Sequence, residues 1–327
     1  MALFPPVFAR SVALTYVAAM PIKLASNSPA AQTLAREGVD IIEHAVAVRQ
    51  DIRPLRIALL NLMPNKVNTE VQLARLLSST PLQVELTLLS PASHTSKNTS
   101  PEYLREFYRT PEAVLKEKFD GLIVTGAPLE HVPYDDVRFW PELRDFMDAA
   151  KTLSFRQMYI CWGAQAALWH KYGVGRELLD EKLSGVFEQT VRTQGSKPLR
   201  GFPDTFHAPV SRYARVSEAD CAAHDKLRVL AGSPITGASI IESDDNELFV
   251  LDHYEYDTDT LKGEYERDVA KDMAVTPPAH YFRDDDPANA PTNTWRANGY
   301  LLFYNWIYRM YEDVPYDLAV LGTGAAT

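Results

Sequence analysis

The sequence predicts an α/β fold built on a doubly wound, mostly parallel β-sheet. Two observations favour this class: short runs of residues are apolar almost throughout, and helical segments alternate with them. Strands of a parallel sheet are buried on both faces, so their sequences lack the alternation of a half-exposed strand. With 327 residues, 46% of them hydrophobic, the chain is long enough to bury a large core.

Strands and helices are predicted to alternate along most of the chain. The predicted strands cover residues 56–62, 82–89, 119–125, 158–160 and 249–251. The predicted helices are one that begins at a cap, Asn68 or Thr69, and three that cover residues 139–151, 258–273 and 295–311. The last helix is rich in aromatic residues, which we expect to pack in the core or at a dimer surface.

A single domain over residues 20–327, with insertions, fits the sequence better than two domains. The chain shows no internal repeat, low-complexity tract or Gly/Ser linker. Residues 1–19 are expected to be an N-terminal extension upstream of a natural start at Met20. A secretion signal is the alternative for this segment, but polar residues interrupt its apolar run and a single arginine precedes it.

Composition limits the partners and the compartment. The formal net charge of −10 argues against non-specific binding to nucleic acid or to anionic membranes, since both require a basic surface. Two cysteines are too few for a disulfide framework and suit a reducing compartment. No run of residues has the length of a membrane span, so we expect a cytoplasmic protein.

Cys161 is the candidate nucleophile. It stands between a predicted strand and a predicted helix in ICWGAQAAL, residues 160–168, so a sharp turn would expose its side chain at the carboxyl edge of the sheet. The helix N-terminus would favour the thiolate, and the Trp162 amide would donate to an oxyanion. A buried, inert thiol at a tight turn is the alternative. Cys221 lacks the strand-turn setting and is interpreted as incidental.

His253 and Glu255 are the candidate base and its partner. They follow the predicted strand 249–251, and in extended chain residues two apart point the same way. A carboxylate beside an imidazole fixes its tautomer and stabilises the imidazolium, as a general base requires. A surface ion pair is the alternative. A metal site is not predicted, because no further histidine or cysteine lies nearby at ligand spacing.

From Met20 onward the sequence resembles the homoserine O-succinyltransferase family of methionine biosynthesis, whose members are similar in fold to flavodoxin-like class I glutamine amidotransferases. The resemblance rests on several long motifs in the same order: DIRPLRIALLNLMPNK, FDGLIVTGAP, ICWGAQAALW, EKLSGV, SRYA, H-x-EYD and DP-x-N-x-P-x-x-x-W-R. It implies an acyltransferase that uses acetyl-CoA as a co-substrate and holds no permanently bound cofactor. We also expect a homodimer.

The resemblance assigns roles to the matching residues. Cys161 would carry the acyl thioester, His253 would act as the base, and Glu255 would orient it. Backbone amides of Trp162 and Leu129 would hold the oxyanion. Other basic and polar residues also match: Lys66 would be a supporting cation, and the amino-acid substrate would be held by Lys182, Ser211 and Arg267. Each of these basic residues, considered alone, could instead be an ordinary surface charge.

Glu130 indicates which acyl group is transferred. Succinyl-using members of the family are similar here but carry glycine, whereas acetyl-using members carry glutamate. A glutamate would repel the second carboxylate of a succinyl group and fill its space. The sequence therefore predicts acetyl transfer to homoserine, with succinyl transfer as the alternative. An exposed loop glutamate is the other interpretation.

Three further alternatives remain open at this stage. Asp252 and Tyr254 flank His253 where the family has glycine and proline, so serine remains a second acceptor. A glutaminase would share the fold and triad, although Tyr159 replaces the glycine that glutaminases of this fold carry near the nucleophile. A non-catalytic binding protein is the third. Ammonia release from glutamine would identify the glutaminase, and inertness towards every acyl-CoA would identify the binding protein.

Overall fold

The computed structural model describes residues 22–23, 27–37, 41–42, 53–93 and 98–321. The predicted extension, residues 1–19, lies outside these ranges. The described strands are β1 Ile22–Lys23, β2 Ile41–Ile42, β3 Leu55–Leu60, β4 Val84–Leu89, β5 Phe119–Val124, β6 Ser154–Ile160, β7 Glu177–Val191, β8 Thr205–Arg215, β9 Leu227–Ser233, β10 Gly237–Ser243 and β11 Glu247–Val250. The described α-helices are α1 Pro29–Arg36, α2 Lys66–Leu77, α3 Pro101–Phe107, α4 Trp140–Leu153, α5 Trp162–Tyr172, α6 Glu218–Ala222, α7 Thr260–Val269 and α8 Arg296–Asp313.

All eleven described strands belong to one sheet, in the order β2-β1-β4-β3-β5-β6-β11-β10-β9-β7-β8. Strands β4, β3, β5, β6 and β11 pair in parallel. Numbered along the chain, these five strands have the order 2-1-3-4-5, which is that of the flavodoxin-like folds. The structure thus confirms the predicted fold class. One continuous sheet is compatible with a single domain over residues 20–327, which stays a prediction.

The sheet is less parallel than predicted. Strands β10, β9, β7 and β8 form an antiparallel extension beyond β11, so only six of the ten pairings between the described strands are parallel. Apolar runs do not mark most of this extension: the first half of β7 is exposed or partly buried and carries charged residues. A search for continuous apolar runs, which mark strands buried on both faces, therefore misses most of the antiparallel extension.

Helices cover both faces of the sheet, and each face has its own buried cluster. Along β3, Ile57 and Leu59 belong to the cluster beneath α2 and α8, whereas Ala58 and Leu60 belong to the cluster beneath α4 and α5. Alternation along a buried strand produces this division. Each apolar strand residue therefore has a helix to pack against, as a doubly wound sheet requires.

The aromatic helix α8 packs mainly in the core, as predicted. Phe303, Trp306 and Met310 are at most 3% exposed. A Cβ atom at Gly121 of β5 would lie 2.6 Å from Met310 Cε and 2.7 Å from Trp306 Cη2, so helix and strand touch closely. Tyr311 is exposed.

The predicted start of α2 is wrong. The helix begins at Lys66, and its cap is Asn65, whose side-chain oxygen accepts a hydrogen bond from the Asn68 amide at 3.3 Å. Asn68 and Thr69 lie inside the first turn. Asn65 is a capping residue type as well, and the turn after β3 places the helix start there, three residues before the predicted cap.

Candidate active site

The predicted catalytic residues lie at one edge of the sheet. Parallel strands β3, β5, β6 and β11 all end there. Cys161 follows β6, and the turn with His253 and Glu255 follows β11, the neighbouring strand. The loop with Gly126 and Glu130 follows β5 on the other side of β6. Open α/β sheets carry their sites at this edge.

Cys161 occupies a strained turn between β6 and α5. Its backbone has φ 49° and ψ −117°, a region that costs a non-glycine residue about 1–3 kcal/mol. The Cys161 amide donates to the Val250 carbonyl oxygen at 2.7 Å, which fixes the turn against β11. The side chain is 4% exposed and lies at the N-terminus of α5. The predicted elbow is present.

Gly126 leaves open space beside the nucleophile. A Cβ atom there would lie 3.1 Å from Cys161 Cβ, 3.6 Å from Cys161 Sγ and 3.5 Å from the Trp162 amide nitrogen. Trp162 is the first residue of α5, so its amide has no acceptor within the helix. This amide and the sulfur therefore border one space, as the oxyanion assignment requires.

The Leu129 amide is not available as the second oxyanion donor in this structure. It donates to the Ala127 carbonyl oxygen at 2.8 Å within the loop after β5. The sequence placed Leu129 near the nucleophile but could not show this local turn. A role for its amide in holding an oxyanion would require that hydrogen bond to break.

His253 and Glu255 form a buried pair. His253 Nδ1 lies 2.7 Å from Glu255 Oε1, and the two side chains are 3% and 7% exposed. The predicted contact is present, but the predicted reason for it is wrong. Residues 252–256 form a turn rather than extended chain, closed by a hydrogen bond of 3.3 Å from the Tyr256 amide to the His253 carbonyl oxygen.

The charges around His253 stabilise its protonated form. Burial disfavours the imidazolium, but the Cys161 sulfur and the Glu255 carboxylate outweigh burial and hold the pKa of His253 well above its ordinary value. Cys161 also hydrogen-bonds to the imidazole. A protonated imidazole beside the sulfur is the setting that a cysteine nucleophile requires.

The residues that flank the base face away from it. The Asp252 carboxylate is fully buried and pairs with Arg212 at 2.7 Å, and Ser239 Oγ donates to it at 2.5 Å. The Tyr254 hydroxyl also contacts Ser239 Oγ, at 2.9 Å. These two departures from the family pattern therefore anchor the turn to the antiparallel strands.

Two of the three predicted substrate-binding residues meet at Glu264, a carboxylate that the sequence analysis missed. Lys182 Nζ donates to Glu264 Oε2 at 3.0 Å, and Ser211 Oγ donates to the same oxygen. The Tyr256 hydroxyl donates to Glu264 Oε1 at 3.0 Å. Burial raises the pKa of Glu264, but Lys182 and Ser211 more than offset burial and keep it below its ordinary value. The carboxylate is thus ionised at neutral pH.

Tyr256 connects this cluster to the base. Its ring stacks on the His253 imidazole with 4.1 Å between ring centroids and 17° between planes. Its hydroxyl at the far end of the ring contacts Glu264. One aromatic side chain therefore spans from the candidate base to the predicted substrate-binding residues.

Arg267 lies beside the cluster but is not a free carboxylate clamp. Its Nε and Nη2 atoms donate to the two oxygens of Asp268 at 2.7 and 3.0 Å. Its guanidinium is 52% exposed and borders a cavity of about 860 Å³ that Glu255 and Glu264 also line. A second cavity, of about 480 Å³, lies against Lys182 and Asp268. Both volumes lie within the range of small-molecule sites.

Lys66 does not contact the triad through any hydrogen bond within the described ranges. Its Nζ donates to the Asn61 carbonyl oxygen at 2.6 Å, and it is 1% exposed. Burial lowers its pKa to about 8, which the nearby Glu70 carboxylate opposes. These contacts place Lys66 at the end of β3, where it closes the turn into α2. Its role as a supporting cation stays a prediction.

Glu130 is not an exposed loop residue. It is 7% exposed in the loop after β5, and burial raises its pKa. Arg176, His253 and His131 act on its carboxylate in the opposite direction. The influence of His253 places Glu130 within electrostatic reach of the candidate base.

Cys221, the second cysteine, is a buried thiol, and the described residues form neither a metal site nor a membrane helix. Cys221 is fully buried in α6, and burial, followed by Asp220 and Glu218, raises the pKa of its thiol to about 12. Among the described residues, no group of three or more His, Cys, Asp or Glu side chains is arranged to hold a metal ion. None of the described helices combines the length and apolar character that a membrane crossing requires.

Comparisons with known proteins show the family of this chain. A family model described as homoserine O-succinyltransferase matches residues 21–316. A homoserine O-acetyltransferase from Novosphingobium aromaticivorans is 48% identical over 304 residues, which cover 93% of this chain and 100% of that protein. A homoserine O-acetyltransferase from Bacillus pumilus is 46% identical, over 91% of this chain and 99% of that protein. The crystal structure of a glutamine amidotransferase from Thermotoga maritima has a TM-score of 0.53 at 11% identity, over 80% of this chain and 100% of that one, a likeness of fold alone.

Proposed function

This chain belongs to the homoserine O-succinyltransferase family, and we propose that it transfers an acetyl group from acetyl-CoA to the hydroxyl of L-homoserine. The relatives at 46–48% identity that carry the acetyltransferase name support the choice of acyl group. The observation that carries the proposal is the connection, through Tyr256, of the Cys161–His253–Glu255 triad to the charged cluster around Glu264. A cytoplasmic location is part of the same proposal.

In the first half-reaction, the Cys161 thiolate attacks the thioester carbonyl of acetyl-CoA. The oxyanion forms in the space beside Gly126, where the Trp162 amide donates to it. When the tetrahedral intermediate collapses, the bond to the sulfur of CoA breaks, and the imidazolium of His253 supplies the proton that this thiolate takes up. Cys161 is then acetylated and His253 is neutral.

In the second half-reaction, His253 acts as a base. The charge of the Cys161 thiolate, which raises the pKa of His253 in the resting enzyme, is absent from the acetylated enzyme. Neutral His253 therefore takes the proton of the homoserine hydroxyl as the oxygen attacks the acetyl-cysteine. The carbon–sulfur bond breaks, the ester is released, and the thiolate–imidazolium pair is restored.

The cluster around Glu264 suits a zwitterionic acceptor. An α-amino acid carries one ammonium and one carboxylate, and the cluster offers both complements within one group of contacts. Lys182 would bind the carboxylate, and Glu264 would bind the ammonium. Ser211, which donates to Glu264, would hold the Glu264 carboxylate in place.

The decisive experiment separates the two half-reactions. Incubation with acetyl-CoA alone is expected to add one acetyl group to the wild-type chain, measured by intact mass, and C161A is expected to acquire none. Addition of homoserine should then discharge the adduct, with serine and water as controls. An adduct that persists in C161A, or one that homoserine does not discharge, would contradict the proposal.

E264Q tests the acceptor site alone. It keeps the size of the side chain but removes the charge, so we expect acetylation of Cys161 at a near wild-type rate and a KM for homoserine raised at least about tenfold. E266Q, at an exposed position on the same helix, is the matched control. Equal homoserine KM values for wild type and E264Q would contradict the assigned role of Glu264.

A further inference from the structure

Arg176 reaches from the segment between α5 and β7 onto the loop that carries Glu130. Its Nη2 atom donates to the Val132 carbonyl oxygen at 2.9 Å, and its guanidinium lies 4.2 Å from the centroid of the Tyr134 ring. The Nη1 atom is buried and donates to no acceptor within the described ranges. One side of this guanidinium therefore makes defined contacts, and the other has donor capacity that is not used.

Arg176 is also the strongest opposite charge at Glu130. Burial raises the pKa of the Glu130 carboxyl, and among the charges that counteract burial Arg176 acts more strongly than His253 or His131. Val132, which Arg176 contacts, is two residues from Glu130, and the Tyr134 ring packs against Trp162 with 5.8 Å between ring centroids, so the guanidinium lies between Glu130 and the start of α5. A carboxylate brought by an acyl group bound near Cys161 would meet the same charges.

We propose that Arg176 is the cation of the acyl pocket, compensated by Glu130 in this chain and able to bind the distal carboxylate of a dicarboxylic acyl donor when Glu130 is absent. The proposal rests on the proposed function, since it concerns the acyl group that Cys161 accepts. A guanidinium binds a carboxylate strongly through paired N–H donors, and Nη1 has such donors to offer. Loss of Glu130 would leave the cation without a counter-charge, which a ligand carboxylate would restore.

Two explanations of the choice between acyl donors can now be distinguished. If Glu130 acted only by filling space and repelling a second carboxylate, its removal would suffice for use of a longer dicarboxylic donor. If Arg176 supplies the attraction, removal of Glu130 is effective only while a cation remains at position 176. The two explanations make opposite predictions for the double variant.

The experiment measures kcat/KM with acetyl-CoA and with succinyl-CoA for wild type, E130G, E130G/R176Q and E130G/R176K. The readout is the ratio of succinyl to acetyl kcat/KM, so a general loss of activity or of folded protein cancels. We expect E130G to raise this ratio, and R176Q in that background to lower it again about 10- to 100-fold, as expected for loss of a charged hydrogen-bond donor. R176K, which keeps the charge, should retain most of the gain.

A binding measurement supports the kinetic one. Free succinate should raise the thermal unfolding temperature of E130G but not that of E130G/R176Q. E130G/R138Q, which changes an exposed arginine, is the matched control and should behave as E130G. Equal succinyl-to-acetyl ratios in E130G and E130G/R176Q would overturn the proposal. Failure of the wild type to transfer acetyl from acetyl-CoA would instead refute the proposed function, so the two failures are distinguishable.

Discussion

The replacement of Gly126 by alanine tests whether the oxyanion forms beside the Trp162 amide. An oxyanion must lie about 2.7–3.1 Å from its donor. The added methyl carbon would lie 3.5 Å from the Trp162 nitrogen and 3.6 Å from Cys161 Sγ, in the space that we assign to the thioester oxygen. Loss of one oxyanion donor lowers kcat by about 10²–10³, or roughly 3–4 kcal/mol in the activation free energy. We expect a loss of this size for G126A.

The same substitution should cost little stability. Its closest contact, 3.1 Å to Cys161 Cβ, requires a shift of a few tenths of an ångström, and Gly126 does not have a positive φ. The assay is the rate of Cys161 acetylation in acetyl-CoA alone, followed by rapid quench and intact mass. G175A is the matched control, because a Cβ atom at Gly175 meets no atom within 4 Å. If G126A acetylates within about threefold of G175A, the oxyanion does not occupy this space.

Three further outcomes are expected. C161A should lower the pKa of His253, seen by NMR titration of its ring, because the sulfur is one cause that raises it; an unchanged titration would refute the thiolate–imidazolium pair. The pKa of Lys66 is lowered to about 8 in the folded protein, so above pH 8 the unfolded chain binds more protons than the folded one. The wild type should therefore gain about 2 kcal/mol of stability relative to K66M between pH 7.5 and 9.5, measured by urea denaturation. Stabilities of the two proteins that change equally with pH would contradict this. D252A should lose about 3–5 kcal/mol of stability, because it leaves Arg212 buried and unpaired. It should keep the wild-type ratio of kcat/KM for homoserine to that for serine. A changed ratio would give Asp252 a role in the acceptor site.

The core strands and the strand-to-helix turn at Cys161 were predictable because their signals are local. Strands buried on both faces are apolar throughout, so β3 and β5 were visible as runs of residues. A strand followed at once by a helix likewise requires a sharp turn at the residue between them, and Cys161 has the positive φ of such a turn. Prediction of the fold class and of the turn at Cys161 therefore required no long-range information.

Several contacts at the candidate site were not predictable, because they join distant residues or depend on local side-chain and turn geometry. Glu264 is one acidic residue in a charged helix, and its partners Ser211 and Lys182 are 53 and 82 residues away along the chain. The hydrogen bond of the Leu129 amide depends on a local turn that composition does not specify. The pairing of Arg267 with Asp268 joins adjacent residues, yet only the structure shows that it occupies the edge of the guanidinium formed by Nε and Nη2.

Under the proposed function, the antiparallel extension of the sheet separates recognition of the acceptor from the nucleophile. The parallel strands β6 and β11 end next to Cys161 and His253. Lys182 and Ser211 lie on β7 and β8, the last two strands in the sheet order. Substitutions on β7 and β8 that spare Arg212, which holds the turn with His253, are therefore expected to change recognition of the acceptor while the Cys161 turn stays intact. Enzyme engineers could exploit this separation by diversifying the extension alone, with acetylation of Cys161 as a rapid screen for an undamaged nucleophile.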